Sequence, residues 1–519
     1  MGAWLLVALA GGAQAVSLAW PFAFGLARGT PLWWLQLLSL GVLAWQLDRC
    51  RAGSQWRRAA ALGWLFASIW LAGTFWWLFI SMHTYGGMPA ILAALAVAAL
   101  AAALALYYGA ACAAFVALVP VSTALSATVF ASVWLLAELA RGVWFTGFPW
   151  GAGGYAQVDA LAVFASVVGV YGVGWIAAWL AYLVAGWQRQ PFVAHKWSLV
   201  LLVIPFALLI ALARQTWSTA AGRLSVTLLQ GNIPQEEKFQ PGSGIELALR
   251  WYGEWLQAAH TALVVAPETA IPLLAQQLPD GYWAGLQQRF ARPGPSGPQA
   301  ALIGIPLGDP QHGYTNSAVG LAPGRVTPYR YDKHHLVPFG EFIPPMFRWF
   351  TGMMNIPLGD FKRGAVGQPS FSVDGQRLAP NICYEDLFGE ELGVRFLDAA
   401  QAPTIFVNMS NIAWFGNTVA IDQHLEISRM RALEFERPVI RATNTGATAI
   451  IDWRGHVTRA LPRYTRGLLV GEVQGRDGIT PYAWWVSRFG LWPLWGLALL
   501  VVAVALRQRR RTGLASEGP

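Results

Sequence analysis

The sequence has few charged residues, and long stretches have none at all. Only 12% of its 519 residues are Asp, Glu, Lys or Arg, whereas 55% are hydrophobic. This balance excludes an ordinary soluble protein of the same length. From residue 59 to residue 137 there are 79 consecutive residues without a charged side chain. Since a helix needs about 20 residues to cross a bilayer, this run alone predicts three transmembrane helices.

Together with these three helices, further apolar runs predict a total of eight transmembrane helices along the chain. They lie at residues 4–26, 31–47, 59–82, 89–117, 122–144, 160–186, 197–213 and 489–506. The sequence therefore predicts a seven-helix membrane domain over residues 1–214 and an inserted domain over residues 215–487. A last transmembrane helix and a basic tail occupy residues 488–519.

Lys and Arg are concentrated in alternate connections between the predicted helices. They follow the second and sixth helices and fill the tail, at Arg49, Arg51, Arg57, Arg58, Arg189, Lys196, Arg507, Arg509, Arg510 and Arg511. Basic connections are cytoplasmic in most membrane proteins. We therefore expect both termini in the cytoplasm and the domain of residues 215–487 on the opposite side of the membrane.

The net charge of +9 does not indicate a nucleic-acid partner. Residues 215–487 have a net charge of −1, and the rest of the chain has +10. The positive charge thus belongs to the membrane segments, where it sets orientation. The inserted domain has no basic stripe with interleaved aromatic residues of the kind that binds nucleic acid.

Cysteine is also scarce. Cys50 ends the second predicted helix, Cys112 lies in the fourth, and Cys383 is alone in the inserted domain. Cys383 therefore has no partner there for a disulfide, and it is either a small buried hydrophobic residue or a reactive thiol. His334, His335 and His424 do not have the spacing of a metal site, so we expect structural hydrogen bonds from all three and no metal or cofactor.

In residues 215–487, short β-rich runs alternate with amphipathic segments, as in α/β proteins. Cys383 ends one apolar run just before a predicted helix, where a nucleophile would be accessible. Such a thiol needs a base and a cation from elsewhere. Glu268 follows an apolar strand and Pro267, and the segment YRYDKHHLVPFGE contains Lys333 and Glu341. Taken singly, each of these charged residues is more typical of a solvated group at the protein surface.

Taken together in this order, Glu268, Lys333 and Cys383 resemble the Glu-Lys-Cys triad of the nitrilase, or carbon-nitrogen hydrolase, superfamily. The segments FVNMSNIAWFGNT and RALEFERPVIRATNTG resemble later blocks of the same superfamily. LLQGNIPQEEKFQ resembles its first strand and loop, with Phe239 where related sequences often have Trp. With seven predicted helices before this domain and one after it, the whole chain resembles the apolipoprotein N-acyltransferase family.

This resemblance implies a polytopic α-helical membrane domain and an extracytoplasmic α-β-β-α sandwich, in the inner membrane of a bacterium. It implies Cys383 as nucleophile, Glu268 as general base and acid, Lys333 as the stabilising cation, and Glu341 as a further carboxylate. Supporting residues would be Tyr384, Glu385, Asn316 and Trp414. The implied partners are a phospholipid acyl donor, a diacylglyceryl apolipoprotein acceptor and the lipid bilayer, with the protein acting as a monomer through a thioester.

Two alternatives share parts of this pattern. A membrane-tethered amidase or nitrilase would use the same triad with water as the acceptor. A non-enzymatic transport or assembly protein would only bind ligands, although the few ionisable residues in the predicted helices, notably Glu138 and Arg141, give little sign of a polar pathway. The segments 342–361 and 412–416 are rich in aromatic residues, and each is either a lid that contacts lipid or part of the core.

Overall fold

The computed structural model describes residues 2–118, 123–186, 203, 207, 210–294, 297–343 and 361–515. It separates into two units by internal contacts. The first unit comprises residues 1–76, 91–216 and 489–519, and the second comprises residues 77–90 and 217–488. The segment 77–90, which the sequence predicts within the membrane domain, thus packs with the second unit.

Apolar runs of Ala, Leu, Val and Trp form the helices of the first unit. These are α1 (Gly2–Leu18), α2 (Trp33–Arg51), α3 (Trp56–Thr74), α4 (Ala90–Leu118), α5 (Thr123–Val143), α6 (Ala165–Gly186) and the C-terminal helix (Trp492–Ala515). The helix predicted at 4–26 ends at Leu18, because Pro21, Gly25, Gly29 and Pro31 follow within one short stretch that cannot continue it.

Three described helices are long and apolar enough to cross a membrane, namely Ala90–Leu118, Leu125–Thr146 and Leu161–Gly186. The number rises to five if two bent helix pairs, Trp56–Thr74 with Leu78–Tyr85 and Pro481–Phe489 with Trp492–Arg510, are each one span. The predicted helix at 197–213 lies mostly outside the described residues. Several of the described helices could thus span a membrane, and the number of eight stays a prediction.

Glu138 and Arg141 on α5 make hydrogen bonds to backbone within the first unit. Glu138 Oε1 accepts from the Gly153 N–H at 2.8 Å, and Arg141 donates to the carbonyl oxygens of Phe148 and Trp150 at 2.7 and 2.8 Å. Buried charges are stable only with such partners. These two side chains hold the irregular segment that follows α5, which is a structural role.

Two six-stranded sheets form the centre of the second unit. The strands are β1 (Ser218–Gln230), β2 (Leu263–Val265), β3 (Ala300–Asp309), β4 (Gly313–Leu321), β5 (Tyr329–Asp332), β6 (Phe371–Val373), β7 (Gln376–Ile382), β8 (Ile405–Ser410), β9 (Val439–Thr443), β10 (Ala449–Ile451), β11 (Val457–Ala460) and β12 (Gly467–Gly478). The first sheet has the order β12-β1-β2-β3-β4-β5 and the second β11-β10-β9-β8-β7-β6.

Alternation of side chains along the strands explains why the two sheets pack together. Leu263 and Val265 of β2 belong to a core formed with residues of the second sheet, whereas Val264 between them faces the opposite layer. In β8, Val407 points into the shared core and Phe406 points away from it. Strands that are apolar on both faces must be covered on both sides.

Helices provide this cover. Helices α7 (Gly244–Ala258) and α8 (Tyr282–Ala291) pack on the outer face of the first sheet. Helices α9 (Gly389–Gly393), α10 (Ala420–Phe435) and α11 (Pro481–Phe489) pack on the outer face of the second. The unit is thus an α-β-β-α sandwich.

Strand direction decides which residues meet. Strands β1, β2 and β3 are parallel, and β5 has the same direction because β4 is antiparallel to both of its neighbours. In the second sheet, β7, β8 and β9 are parallel. Ligands commonly bind at the carboxyl ends of parallel strands. Glu268 follows β2, Lys333 follows β5 and Cys383 follows β7.

Candidate functional site

Cys383 occupies a strained turn directly after β7. Its φ of 55° lies in the left-handed region, which costs a non-glycine residue about 1–2 kcal/mol. A short 3-10 turn, Cys383–Leu387, begins at this residue. The Cys383 carbonyl oxygen accepts hydrogen bonds from Asn408 Nδ2 and His424 Nε2, both at 3.2 Å. These two bonds hold the backbone of the turn in this conformation.

A buried network behind Cys383 supports this turn. Asp386 accepts hydrogen bonds from His424 Nε2 at 3.0 Å, Ser428 Oγ at 2.5 Å and Arg441 at 3.3 Å. Arg441 also lies 3.1 Å from His424 Nδ1. A guanidinium can only donate, so His424 Nδ1 is the acceptor and Nε2 is the donor that faces Asp386 and the Cys383 carbonyl. Burial raises the pKa of Asp386, but His424 and Arg441 lower it by a larger amount. The pKa of Asp386 is therefore below its ordinary value.

Glu268 is 8% exposed and is hydrogen-bonded through both carboxylate oxygens. Oε1 accepts from Asn316 Nδ2 at 2.7 Å and from Lys333 Nζ at 3.3 Å, and Oε2 accepts from the Asn411 backbone N–H at 2.8 Å. Burial raises the pKa of Glu268, but the Lys333 charge and these hydrogen bonds outweigh it, so its pKa is lowered. Glu268 is therefore ionised at neutral pH.

Lys333 connects Glu268 to a second carboxylate. Its ammonium is 1% exposed and lies 2.9 Å from Glu341. Glu341 also accepts from Asn316 Nδ2 at 2.7 Å and from the Val337 N–H at 2.8 Å. Burial lowers the pKa of Lys333, but the charges of Glu268 and Glu341 more than compensate, and its pKa is raised. This lysine is a permanent cation.

The thiol itself is protonated at rest. Burial, followed by the charge of Glu268, raises the pKa of Cys383 to about 12, although Lys333 and the nearby Ser410 side chain act in the opposite direction. An ordinary cysteine has a pKa of about 8.5. A nucleophile with this pKa must lose its proton to a base while it attacks, and Glu268 is the ionised carboxylate whose charge acts on it.

Glu385 connects the turn at Cys383 to the segment after Lys333. Its carboxylate accepts from the Ile382 N–H at 2.6 Å and the Tyr331 hydroxyl at 2.8 Å, and also from the His334 N–H at 2.7 Å. Burial raises its pKa. Tyr384 is buried, with its ring centroid 5.2 Å from that of Phe388. Both supporting residues thus fix the backbone on either side of the site.

Trp414 lies in a 3-10 turn, Ile412–Phe415, three residues after Asn411. Its half-buried ring is 5.8 Å from the ring of Tyr85, and Phe415 is 4.2 Å from Trp77. Within the second unit, segment 77–90 therefore covers this turn. Most of the other predicted lid, residues 344–360, lies outside the described residues.

The predicted hydrogen-bonding role of the three histidines is confirmed. His334 Nδ1 contacts the Gly364 carbonyl at 2.7 Å, His335 Nδ1 contacts Glu391 at 2.9 Å, and His424 belongs to the network at Asp386. Among the described residues, no group of three His, Cys, Asp or Glu side chains has the arrangement of a metal site.

Several residues of the site are not apparent from the sequence. Asn411 contributes its backbone N–H, which any residue type would supply, so only the geometry after β8 identifies it. Asn408 and Asp386 act behind the nucleophile rather than in front of it. Lys238, in the loop after β1, is 2% exposed although the segment EEKFQ has the composition of a solvated turn.

This chain is similar to known proteins over most of its length. The apolipoprotein N-acyltransferase N-terminal domain family matches residues 6–183, and the carbon-nitrogen hydrolase family matches residues 225–480. A protein of Verminephrobacter eiseniae named apolipoprotein N-acyltransferase is 60% identical over 513 residues, covering 94% of this chain and 93% of that protein. One of the same name from Ralstonia nicotianae is 46% identical over 490 residues, covering 93% and 91%. A crystal structure of a carbon-nitrogen hydrolase from Helicobacter pylori G27 matches with a TM-score of 0.36 and 15% identity, over 53% of this chain and 94% of the other.

Proposed function

This chain belongs to the apolipoprotein N-acyltransferase family and is an acyltransferase of the carbon-nitrogen hydrolase superfamily, and on that premise we propose that Cys383 carries the acyl group as a thioester. The donor is a membrane phospholipid, and the acceptor is the α-amine of the S-diacylglyceryl cysteine of an apolipoprotein. The observation that carries this proposal is the buried cluster of Glu268, Lys333, Glu341 and Asn316, whose charges act on a thiol held in a strained turn.

In the first half-reaction, Glu268 accepts the proton of the Cys383 thiol as the sulfur attacks the ester carbonyl of the phospholipid. The new sulfur–carbon bond pushes the carbonyl electron pair onto oxygen. Lys333 stabilises this negative charge, and the backbone N–H that follows Cys383 is a second donor for it. When the carbonyl re-forms, the ester carbon–oxygen bond breaks and Glu268 returns the proton to the departing lysophospholipid.

The second half-reaction runs through the same groups. The acceptor amine attacks the thioester, its proton passes to Glu268, and the sulfur leaves with a proton as the amide forms. The charge of Lys333 keeps Glu268 ionised between the two steps. Glu341 shares Lys333 with Glu268, and it therefore holds the ammonium in place while Glu268 is temporarily neutral.

The placement of the substrates follows from the predicted topology. We propose eight crossings, both termini in the cytoplasm and residues 215–487 outside the inner membrane, because Lys and Arg are concentrated in alternate connections of the predicted helices. A phospholipid and a lipid-anchored protein would both reach such a domain by diffusion in the membrane plane. In this proposal the protein acts as a monomer, since one chain supplies the whole triad.

The test separates the two half-reactions. Purified full-length protein is incubated with acyl-labelled phospholipid, and we expect label on the protein that hydroxylamine removes, since hydroxylamine cleaves thioesters. Addition of a diacylated lipopeptide should move the label to the peptide. Cys383→Ala should lose both steps, whereas Cys112→Ala should keep them because that free thiol is buried in α4. Label on Cys383→Ala, or release as free fatty acid alone, would contradict the proposal.

A further inference from the structure

Lys238 is a buried ammonium that the mechanism above does not use. It lies in the turn between β1 and α7, six residues before α7 begins at Gly244. Its side chain is 2% exposed. Lysine is almost never fully buried without a partner, because removing its charge from water is costly.

Its described contacts do not account for this burial. Lys238 Nζ donates to the backbone carbonyl oxygen of Glu268 at 3.2 Å. In the parts of the chain that the structure describes, this is its only hydrogen bond, and it forms no ion pair. A neutral carbonyl does not compensate a buried charge. The charge that acts most on Lys238 is that of the Glu268 carboxylate, and Cys383 would add to it only as a thiolate.

The charges of the site give this lysine a role. Glu268 and Glu341 share a single ammonium, Lys333, at 3.3 and 2.9 Å. Two carboxylates beside one cation repel each other, and one of them tends to hold a proton. A protonated Glu268 cannot accept the thiol proton. A second positive charge near Glu268, such as that of Lys238, opposes this protonation.

We propose that Lys238 is a second cation of the active site, a positioning residue that acts through Glu268 and keeps its carboxylate ionised before the thiol attacks. The proposal rests on the proposed function of Glu268 as base. In the acylation step Lys238 neither gains nor loses a proton: the thiol proton moves to Glu268, the sulfur–carbon bond forms, and the carbonyl electron pair moves to oxygen. The charge of Lys238 then remains beside the newly formed anion.

The charged groups around Glu268 and Lys238 predict the pH range in which Lys238 acts on Glu268. The groups that act on Glu268 are Lys333, the Asn316 amide, the Asn411 N–H and Lys238, which all lower its pKa against the effect of burial. Burial lowers the pKa of Lys238 itself to about 8, with Glu268 and Cys383 opposing. Lys238 is therefore charged at neutral pH and loses its charge in alkaline solution. Its contribution should disappear above about pH 8.

The test measures the rate of acyl-enzyme formation with phospholipid as a function of pH, using full-length protein. Lys238→Gln keeps an N–H donor for the Glu268 carbonyl but removes the charge, and Lys238→Arg keeps the charge. We expect Lys238→Gln to be about tenfold slower than the wild type on the acid side, and to match it above about pH 8. Lys238→Arg should follow the wild type on the acid side. Lys362→Gln, the same change at an exposed position, should leave the whole profile unchanged.

A ratio of Lys238→Gln to wild type that is constant with pH would overturn the proposal, because a purely structural role gives such a ratio. If Lys238→Gln does not fold, Lys238→Arg decides: the proposal requires this variant to keep the wild-type rate on the acid side, and a tenfold loss there rejects it. A wild type that forms no acyl-enzyme at any pH refutes the proposed function itself, whereas normal acylation with a pH-independent ratio refutes only the role of Lys238.

Discussion

At the scale of single residues, the protonated thiol is the feature that most constrains the chemistry. With a pKa of about 12, Cys383 differs from cysteine nucleophiles that form a stable thiolate. At neutral pH only about one molecule in 100,000 would hold a free thiolate at this pKa. The attack by sulfur and the transfer of its proton to Glu268 must therefore occur together. Loss of the base should then slow the reaction more than it would in an enzyme whose cysteine is already a thiolate.

Replacement of the base tests this directly. Glu268→Gln keeps the size of the side chain and removes the proton acceptor, so we expect acyl-enzyme formation to fall by about 10²- to 10⁴-fold. Glu246→Gln, the same change on the exposed side of α7, should have no effect. A near-normal rate in Glu268→Gln would mean that another group accepts the proton. The measurement is the rate of label incorporation from phospholipid before acceptor is added.

Asp386 gives a prediction on stability. Removal of its charge leaves Arg441 buried without its partner, so Asp386→Asn should lower the free energy of unfolding by about 3–5 kcal/mol. The folded-state pKa of Asp386 is below its unfolded value. Its contribution is therefore fully present above the unfolded pKa of about 3.9 and is lost as the pH falls through the folded-state pKa.

Thermal unfolding of the full-length protein in detergent, followed by tryptophan fluorescence at neutral and acid pH, checks this. Asp280→Asn, at an exposed position before α8, is the control. Equal unfolding temperatures of Asp386→Asn and Asp280→Asn at neutral pH would show that the network behind Cys383 does not support the turn.

At the scale of elements, the close approach of β3 to the loop after β2 positions the base. Gly304 in β3 accepts a hydrogen bond from the Ile271 N–H at 3.1 Å. A Cβ atom at Gly304 would lie 2.7 Å from the Thr269 nitrogen and 2.8 Å from the Glu268 Cα, and still closer to the Pro267 carbonyl oxygen. These are backbone atoms, so they cannot move aside without moving Glu268.

Gly304→Ala should therefore reduce acyl-enzyme formation by about 100-fold, since a displacement of about 1 Å at a catalytic group has this effect. Gly285→Ala is the matched control, because a Cβ atom there has no neighbour within 4 Å and the residue lies in helix α8. That substitution should keep activity and stabilise the protein by about 0.5–1 kcal/mol. Full activity in Gly304→Ala would show that the loop tolerates the shift.

The sequence predicts the parts of the site that depend on strand ends. Glu268, Lys333 and Cys383 each follow a short apolar run, and parallel strand direction then brings them to one edge of the sandwich. Their roles, and that of Glu341, stay predictions until variants are measured. The hydrogen-bonding role of the histidines is confirmed by their contacts with Gly364, Glu391 and Asp386.

Other contacts depend on packing between distant segments, which no local pattern encodes. Asn316 reaches Glu268 and Glu341 from the middle of an antiparallel strand, and the buried Lys238 reaches the backbone carbonyl of Glu268, 30 residues along the chain. In the membrane unit, apolar composition does not reveal where a helix stops. The turn residues after Leu18 end α1 early, and Phe75–Trp77 interrupts a run that hydropathy alone joins.

At the scale of the whole molecule, the chain separates positive charge from catalytic chemistry. The net charge of +10 outside residues 215–487 is concentrated in connections that the positive-inside rule places in the cytoplasm. In this proposal the near-neutral domain of residues 215–487 lies on the opposite side of the membrane from the cytoplasm, and lipid-anchored proteins mature on that side.

Labelling of single cysteines tests this topology. In a variant with Cys50, Cys112 and Cys383 replaced by Ala, a cysteine introduced as Asp280→Cys should react with a membrane-impermeant maleimide in spheroplasts. One introduced as Gln508→Cys should react only after permeabilisation. Both positions are exposed in the structure. Labelling of the second but not the first in sealed cells would reverse the orientation.

The most direct measurement for the central claim is peptide mass spectrometry of full-length protein incubated with one defined phospholipid and no acceptor. Our account predicts a single acyl group on the peptide that contains Cys383, absent after hydroxylamine treatment and absent from Glu268→Gln at short times. An acyl group on another residue, or an unmodified Cys383 peptide while lipopeptide acylation proceeds at the normal rate, would contradict it.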